Sequence, residues 1–307
     1  MSRFRNSSDR RPTSLTCRKR TGLTPTASDT PAATRAPRRQ PANAPVHLDP
    51  GRFDLLTFDC YGTLVDWEAG IIAAAREACA VRGLVHGPAR ASASGSAPAP
   101  AGSSARGTPA GVVPSDAAIL SAFGAAEHVV QAERYRSYRE VLALTLRRMG
   151  SALGFRPTPS ECDAFAASVG DWPAFPDTVA ALRRLARRYR LGIVSNVDDD
   201  LFARTREHLH TDFDWVVTAQ QVGSYKPATA HFEEMAMRSG IPRERTLHVA
   251  QSLFHDIAPA AALGYATVHV DRPSRGDGSG ATPPSHARPD VTVHDMASVA
   301  GLLELSE

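Results

Sequence analysis

No run of about twenty apolar residues occurs in this chain of 307 residues, which excludes a membrane-spanning helix. No apolar signal core precedes Asp59 either, so secretion is not indicated and the cytoplasm is the expected compartment. Cysteine is scarce: Cys17, Cys60, Cys79 and Cys162 are scattered with no Cys-x-x-Cys pair, which offers no zinc-ligand spacing and suits a reducing compartment. His208, His210, His231 and His294 lack acids at metal-ligand spacing and are expected at the surface. Residues 87–113 contain no Asp, Glu or Lys and are almost wholly Ala, Gly, Pro and Ser, a composition that reads as a flexible insertion without a core of its own.

Net positive charge is confined to one end. Residues 1–50 hold ten Arg and Lys against three acids, which leaves 25 basic and 29 acidic side chains, net −4, for residues 51–307. The basic character of the chain thus belongs to an Arg- and Ser-rich extension that is expected to be disordered. The folded part carries no signature of nucleic-acid binding.

What is present, from residue 53 onward, is an alternation of strand and helix patterns. Phe53-Asp54-Leu55-Leu56-Thr57-Phe58 reads as a buried strand, and Ile71, Ile72, Ala75, Ala78, Cys79 and Val81 recur on a helical period that stops at Arg82-Gly83. Beyond the insertion, Ser115-Asp116 caps one helical run, residues 138–153 form a second, and Thr158-Pro159-Ser160-Glu161 opens a third with a capping box. From residue 177 the pattern becomes helix 177–189, strand 191–194, helix 199–209, strand 215–218, helix 230–239, strand 247–250, a helix through 260–263 and strand 266–270. The expected fold is α/β with a mainly parallel sheet covered on both faces. The expected organisation is a disordered Arg-rich extension over 1–50, a core from 51–83 and 172–307, and a helical cap over 84–171 that includes the insertion 87–113.

Ligands in such folds bind beyond the carboxyl ends of the strands, so the polar residues there are the candidates. The first strand ends at Phe58-Asp59-Cys60-Tyr61-Gly62-Thr63-Leu64, which puts a carboxylate in front of a Gly-Thr turn whose amides could face an oxyanion. An Asp that only caps the turn is the competing reading. The second strand ends at Ser195-Asn196, Lys226 follows the third in Ser224-Tyr225-Lys226-Pro227, and the fourth leads into Gln251-Ser252-Leu253-Phe254-His255-Asp256.

These four blocks, in this order, resemble the motifs of the haloacid dehalogenase superfamily, and Asp-Cys-Tyr-Gly-Thr-Leu resembles its L-2-haloacid dehalogenase branch. The resemblance implies a Rossmann-like core with a helical cap and an aspartate nucleophile, Asp59. It assigns Lys226 and Asp256 to catalysis, and Tyr61, Thr63, Ser195, Asn196, Gln251 and Ser252 to the substrate pocket. Most members are magnesium-dependent phosphohydrolases with a second Asp where Tyr61 stands and another where Gln251 stands. Loss of both implies a site without a cofactor. In the branch, a cap arginine holds the leaving halide; Arg136 or Arg139 is the candidate here. Phe232, Gln251 and Leu253 depart from the branch, which carries Tyr, Ser and Asn at those spacings.

The resemblance thus implies a metal-independent hydrolase that converts 2-haloalkanoic acids to 2-hydroxy acids and halide. Its partner would be a small 2-halocarboxylic acid, with neither nucleic acid nor membrane involved, and a homodimer is the candidate assembly. A magnesium-dependent phosphatase of the same fold is the first alternative, and a catalytically inactive binding protein is the second.

Overall fold

A computed structural model describes residues 48–80, 114–275 and 282–304. The expected extension up to residue 47, the stop of the first helix at 82–83 and the low-complexity insertion lie outside the described residues. Six strands form one sheet: β1 (Leu55–Phe58), β2 (Arg190–Ser195), β3 (Trp215–Thr218), β4 (Thr246–Ala250), β5 (Ala266–Val270) and β6 (Val291–Val293). Their order is β3-β2-β1-β4-β5-β6, and every pairing is parallel. Strands buried on both faces read as near-continuous apolar runs, and all four residues of β1 are buried, Thr57 being its one polar member.

Connection order explains where a ligand can sit. The chain leaves β1 toward β2 on one side and later enters β4 on the other, so a crevice opens at the carboxyl end of β1, where the winding reverses. Asp59 is the residue that follows β1, Ser195 ends β2, and Gln251 follows β4.

Between β1 and β2 run helices α1 (Trp67–Ala80), α2 (Asp116–Glu133), α3 (Tyr138–Leu153), α4 (Pro159–Ala167) and α5 (Thr178–Leu185). Ser115 caps α2, and Ser137 with Glu140 and Thr158 with Glu161 form reciprocal capping boxes on α3 and α4. Ile119, Leu120, Phe123, Ala126, Glu127 and Val130 are the buried stripe of α2. All but Glu127 are apolar, so one acid faces inward. The two chain crossings between insertion and core meet at Gly70 and Trp172, where a Cβ on Gly70 would lie 2.2 Å from the indole Cγ; only glycine allows that approach.

The remaining helices are α6 (Asp199–Leu209), α7 (Ala219–Val222), α8 (Ala230–Ser239), α9 (Ala258–Ala262) and α10 (Met296–Leu302). Two differences from the sequence reading stand out. β6 and α10 were not anticipated, because a three-residue strand that is only partly buried carries too little alternation to register. His231, expected at the surface, is wholly buried on α8 with its Nε2 donating to the Ser195 carbonyl at 3.2 Å. Cys60 and Cys162 are buried free thiols, and Cys79 is buried as well. Among the described residues no helix is long and apolar enough to cross a membrane.

Candidate active site

The turn after β1 is fixed from several directions. Asp59 donates its amide to Val249 O at 3.2 Å, and Leu64 and Val65 both donate to Cys60 O at 2.8 and 3.0 Å. Gly62 sits at φ +95°, a conformation that side chains disfavour. The Gly62 and Thr63 amides are spent inside this turn, on Val65 O at 2.8 Å and Cys60 O at 3.3 Å, so they do not form the oxyanion site expected of them. The Thr63 hydroxyl donates to Asp59 Oδ2 at 2.7 Å and accepts from the Gln251 amide at 2.9 Å, which ties the ends of β1 and β4 together. Arg272, after β5, donates twice to Thr63 O at 3.2 and 3.0 Å and once to Asp177 at 2.9 Å while stacking 4.0 Å from the Phe175 ring.

Lys226 is the centre of the arrangement. Its Nζ donates to Asp59 Oδ1 at 2.9 Å, Asp256 Oδ1 at 2.6 Å and Val194 O at 2.9 Å, so all three ammonium protons are used. Its backbone is clasped by the Asn196 side chain, whose Oδ1 accepts from Lys226 N at 2.8 Å and whose Nδ2 donates to Lys226 O at 3.2 Å. Asn196 therefore positions the lysine. Asp256 lies in the turn Leu253–Ile257, capped by the Ser252 hydroxyl, which accepts from the His255 amide at 2.9 Å. His248 Nε2 lies 3.2 Å from Asp256 Oδ1.

Burial and charge act on these groups in opposite directions. Burial raises the Asp59 carboxyl above its ordinary range against the pull of Lys226, and Asp256 adds to the rise. For Asp256 burial acts the same way, but Lys226 and His248 outweigh it and hold the group well below the usual carboxylate range. Burial alone would lower Lys226; the two carboxylates raise it. The ammonium thus satisfies Asp256 more fully and leaves Asp59 the less stabilised anion.

A small cavity of about 50 Å³ opens over this cluster. Its core side is formed by Asp59, Ser195, Lys226, Gln251 and Asp256, and its far side by Trp67 of α1, Glu127 and Gln131 of α2, and Tyr138 of α3. Tyr61, Asn196, Ser252 and His255 also line it, and Thr63 reaches it through Asp59. The Ser195 hydroxyl is buried without a hydrogen-bond partner, an unmet donor beside the cavity. The Tyr61 hydroxyl bonds Thr205 at 2.8 Å, and its ring meets Trp172 edge-on at 5.9 Å.

Arg136 and Arg139 are not among the lining residues. Arg136 donates to Val130 O at 3.1 Å and Glu133 at 2.7 Å, while Arg139 pairs with Asp200 at 2.5 Å on the surface. Trp67, Glu127, Gln131 and Tyr138 escaped the sequence reading; a charged residue on the apolar stripe of α2 was the available signal.

Magnesium, which the resemblance attaches to the phosphohydrolases, needs near-octahedral oxygen donors at about 2.1 Å. Tyr61 and Gln251 stand where two carboxylates would be, and the two that remain, Asp59 and Asp256, share the Lys226 ammonium. The donor set does not fit the ion. Among the described residues no group of three or more His, Cys, Asp or Glu side chains could hold a metal.

The family model for haloacid dehalogenase-like hydrolases matches residues 53–264. The fold is similar to that of a defluorinating L-2-haloacid dehalogenase, at 19% identity and TM-score 0.64, with 82% of this chain and 95% of that one covered. It is also similar to L-2-haloacid dehalogenase from Xanthobacter autotrophicus, at 18% identity and TM-score 0.63, covering 82% and 98%. At such identities the likeness is one of fold. A stretch of 100 residues is 35% identical to a glyceraldehyde 3-phosphate phosphatase of Methanothermobacter thermautotrophicus, covering 32% of this chain and 44% of that protein. That match spans less than half of the relative's length.

Proposed function

The chain belongs to the haloacid dehalogenase-like hydrolases, and we propose that it hydrolyses small 2-haloalkanoic acids through a covalent Asp59 ester, without a metal. The observation that carries this reading is the single buried ammonium of Lys226 between Asp59 and Asp256, with Tyr61 and Gln251 in place of further carboxylates. Such a site can ionise a nucleophilic carboxylate but has no donor set for magnesium.

In this reading Ser195 Oγ, the unmet donor, binds the substrate carboxylate. Asp59 attacks C2 as the carbon–halogen bond breaks; the bonding pair leaves with the halide and the configuration at C2 inverts. Water then attacks the Asp59 carbonyl carbon. Asp256 takes the water proton, and Lys226, 2.9 Å from Asp59 Oδ1, steadies the negative charge that develops on that oxygen. Collapse of the tetrahedral intermediate breaks the ester C–O bond; the departing alkoxide takes the proton held by Asp256 and leaves as the 2-hydroxy acid, and Asp59 gives its remaining proton to water and returns to the carboxylate. Two moderate barriers replace one high one. The helical insertion serves as the cap, excluding water from a carboxylate that is more nucleophilic when poorly solvated.

Cavity size supports a small substrate. Sites for drug-sized ligands run to about 300–1,000 Å³, against about 50 Å³ here. The phosphatase reading is favoured by the 35% identity over 100 residues to a named phosphatase, and it predicts magnesium-dependent turnover of p-nitrophenyl phosphate. The deciding experiment is halide release from L-2-chloropropionate in EDTA, run on the full chain and on Asp59→Asn. Release that resists EDTA and vanishes in the variant is expected. Magnesium-dependent phosphate release without halide release would refute the proposal.

A further inference from the structure

Displacement at carbon is in line, so the halide must depart on the side of C2 opposite Asp59. With Asp59 on the core side of the cavity, that direction faces Trp67, Glu127, Gln131 and Tyr138. None of these is a cation, and the two candidate arginines are engaged elsewhere: Arg136 by Glu133 and Val130, Arg139 by Asp200. Glu127 and Gln131 are one turn apart on α2 and therefore project to the same side. Tyr138 OH donates to Glu127 Oε1 at 2.8 Å, so that oxygen is filled. The other Glu127 oxygen has no hydrogen-bond partner among the described residues, and the side chain is 8% exposed.

Resting on the 2-haloacid reading, we infer that Glu127, held by Tyr138, is the leaving-group residue: its carboxyl O–H donates a hydrogen bond to the departing halide where an arginine was expected. The proton is shared, not transferred, because hydrohalic acids are stronger acids than a carboxyl group. The C–X electron pair leaves with the halide. Gln131 and the Trp67 indole complete a wall of neutral donors. Neutral N–H and O–H groups can hold a halide without adding a charge that must be desolvated.

The charge on Glu127 makes this arrangement pH-dependent. Burial lifts its carboxyl to about 7, against the pull of the Tyr138 hydrogen bond. The other groups facing it are Tyr138 of α3, Tyr225 of the core, and, across the cavity, Asp59, Tyr61, Lys226, His255 and Asp256. Burial holds His255 down to about 4 and pushes Tyr61 and Tyr138 well above their ordinary range. Tyr225 and Lys226 are raised and Asp256 is lowered. Asp59, raised, must lose its proton to attack and so sets the rising side of the profile. Glu127 sets the falling side, since its ionised form cannot donate and repels the halide.

The test is kcat/KM for L-2-chloropropionate from pH 5.5 to 9, with bromide affinity measured in parallel by quenching of protein fluorescence. Wild type is expected to lose activity about tenfold per pH unit above roughly pH 7, and to bind bromide about thirtyfold more weakly at pH 8.5 than at pH 6. Glu127→Gln keeps an N–H donor but cannot titrate. Its plateau is expected to drop a few-fold, and both falls should disappear. Tyr138→Phe removes a bond that favours the ionised carboxyl, so the falling side should move to higher pH, which a merely structural tyrosine would not cause. A Glu127→Gln profile that falls like wild type, or bromide affinity independent of pH in wild type, overturns the inference. Absence of halide release from every protein would instead sink the 2-haloacid reading, and bromide binding, which needs no turnover, would still decide the role of Glu127.

Discussion

Replacing Glu127 by Gln should make the protein more stable at alkaline pH and change it little at acid pH. Glu127 is 8% exposed, and burial raises its carboxyl pKa in the folded chain to about 7 from an ordinary 4.5. A group whose folded pKa is raised favours folding while protonated, and that contribution is lost as pH climbs from the unfolded toward the folded value. Between pH 4.5 and 7 wild type therefore loses about 3 kcal/mol, at about 1.4 kcal/mol per tenfold change in the proton equilibrium, and loses no more above that. Glutamine fits the same space, can accept from Tyr138, and pays no such penalty. Urea titrations of both proteins at pH 5 and pH 8 isolate the effect, because every other titrating group is common to the pair. The stability difference should grow by about 2.5 kcal/mol between the two conditions, or about 5–10 °C in Tm for a domain of this size. A difference constant within about 0.5 kcal/mol would mean that Glu127 ionises freely inside the cavity, and the neutral-wall argument would fail with it.

Lys226→Met leaves Asp59 and Asp256 buried without their shared cation and should cost about 3–5 kcal/mol in urea unfolding at pH 7; a cost below about 1 kcal/mol would mean the ammonium does not hold the pair. Arg136→Ala and Arg139→Ala should each leave kcat/KM for halide release within about threefold, and loss of the exposed Arg139–Asp200 pair should cost less than about 1 kcal/mol. A drop of about a hundredfold in either variant would return a guanidinium to the leaving group.

The parts of the site that follow from strand ends were legible in the sequence, because β1, β2 and β4 deliver Asp59, Ser195 and Gln251 by connection order alone. Lys226 was legible only through its resemblance to a family motif, since an isolated lysine is ordinarily solvated; the structure places it between two carboxylates. The α2 to α4 caps were readable from local chemistry, Thr158 with Glu161 being the clearest. The far wall was not readable in the same way. Which face of α2 meets the core depends on packing across the insertion, and residues 81–113 break the register that counting from Asp59 would need. Asn196 was assigned to substrate because motif position does not reveal that its amide is used on the Lys226 backbone.

Charge balance links these features. Asp59 and Asp256 carry two negative charges and Lys226 one positive, so the core side of the cavity is net −1 before any substrate enters. A phosphate monoester would bring up to two more negative charges to a site with no second cation. At about 4 kcal/mol per unit pair at 4 Å in a partly screened interior, that repulsion opposes a phosphate monoester unless a metal offsets it, and Tyr61 and Gln251 cannot ligate one as carboxylates would. A monocarboxylate brings one negative charge, which the Ser195 hydroxyl can meet at a distance from Asp59. In the proposed reaction the halide becomes a second anion only as the bond breaks, and an ionised Glu127 would oppose that step. In the proposed dehalogenation, the missing carboxylates and a protonated Glu127 would serve one requirement: the site would hold no more negative charge than one lysine and a few fixed hydrogen-bond donors can carry.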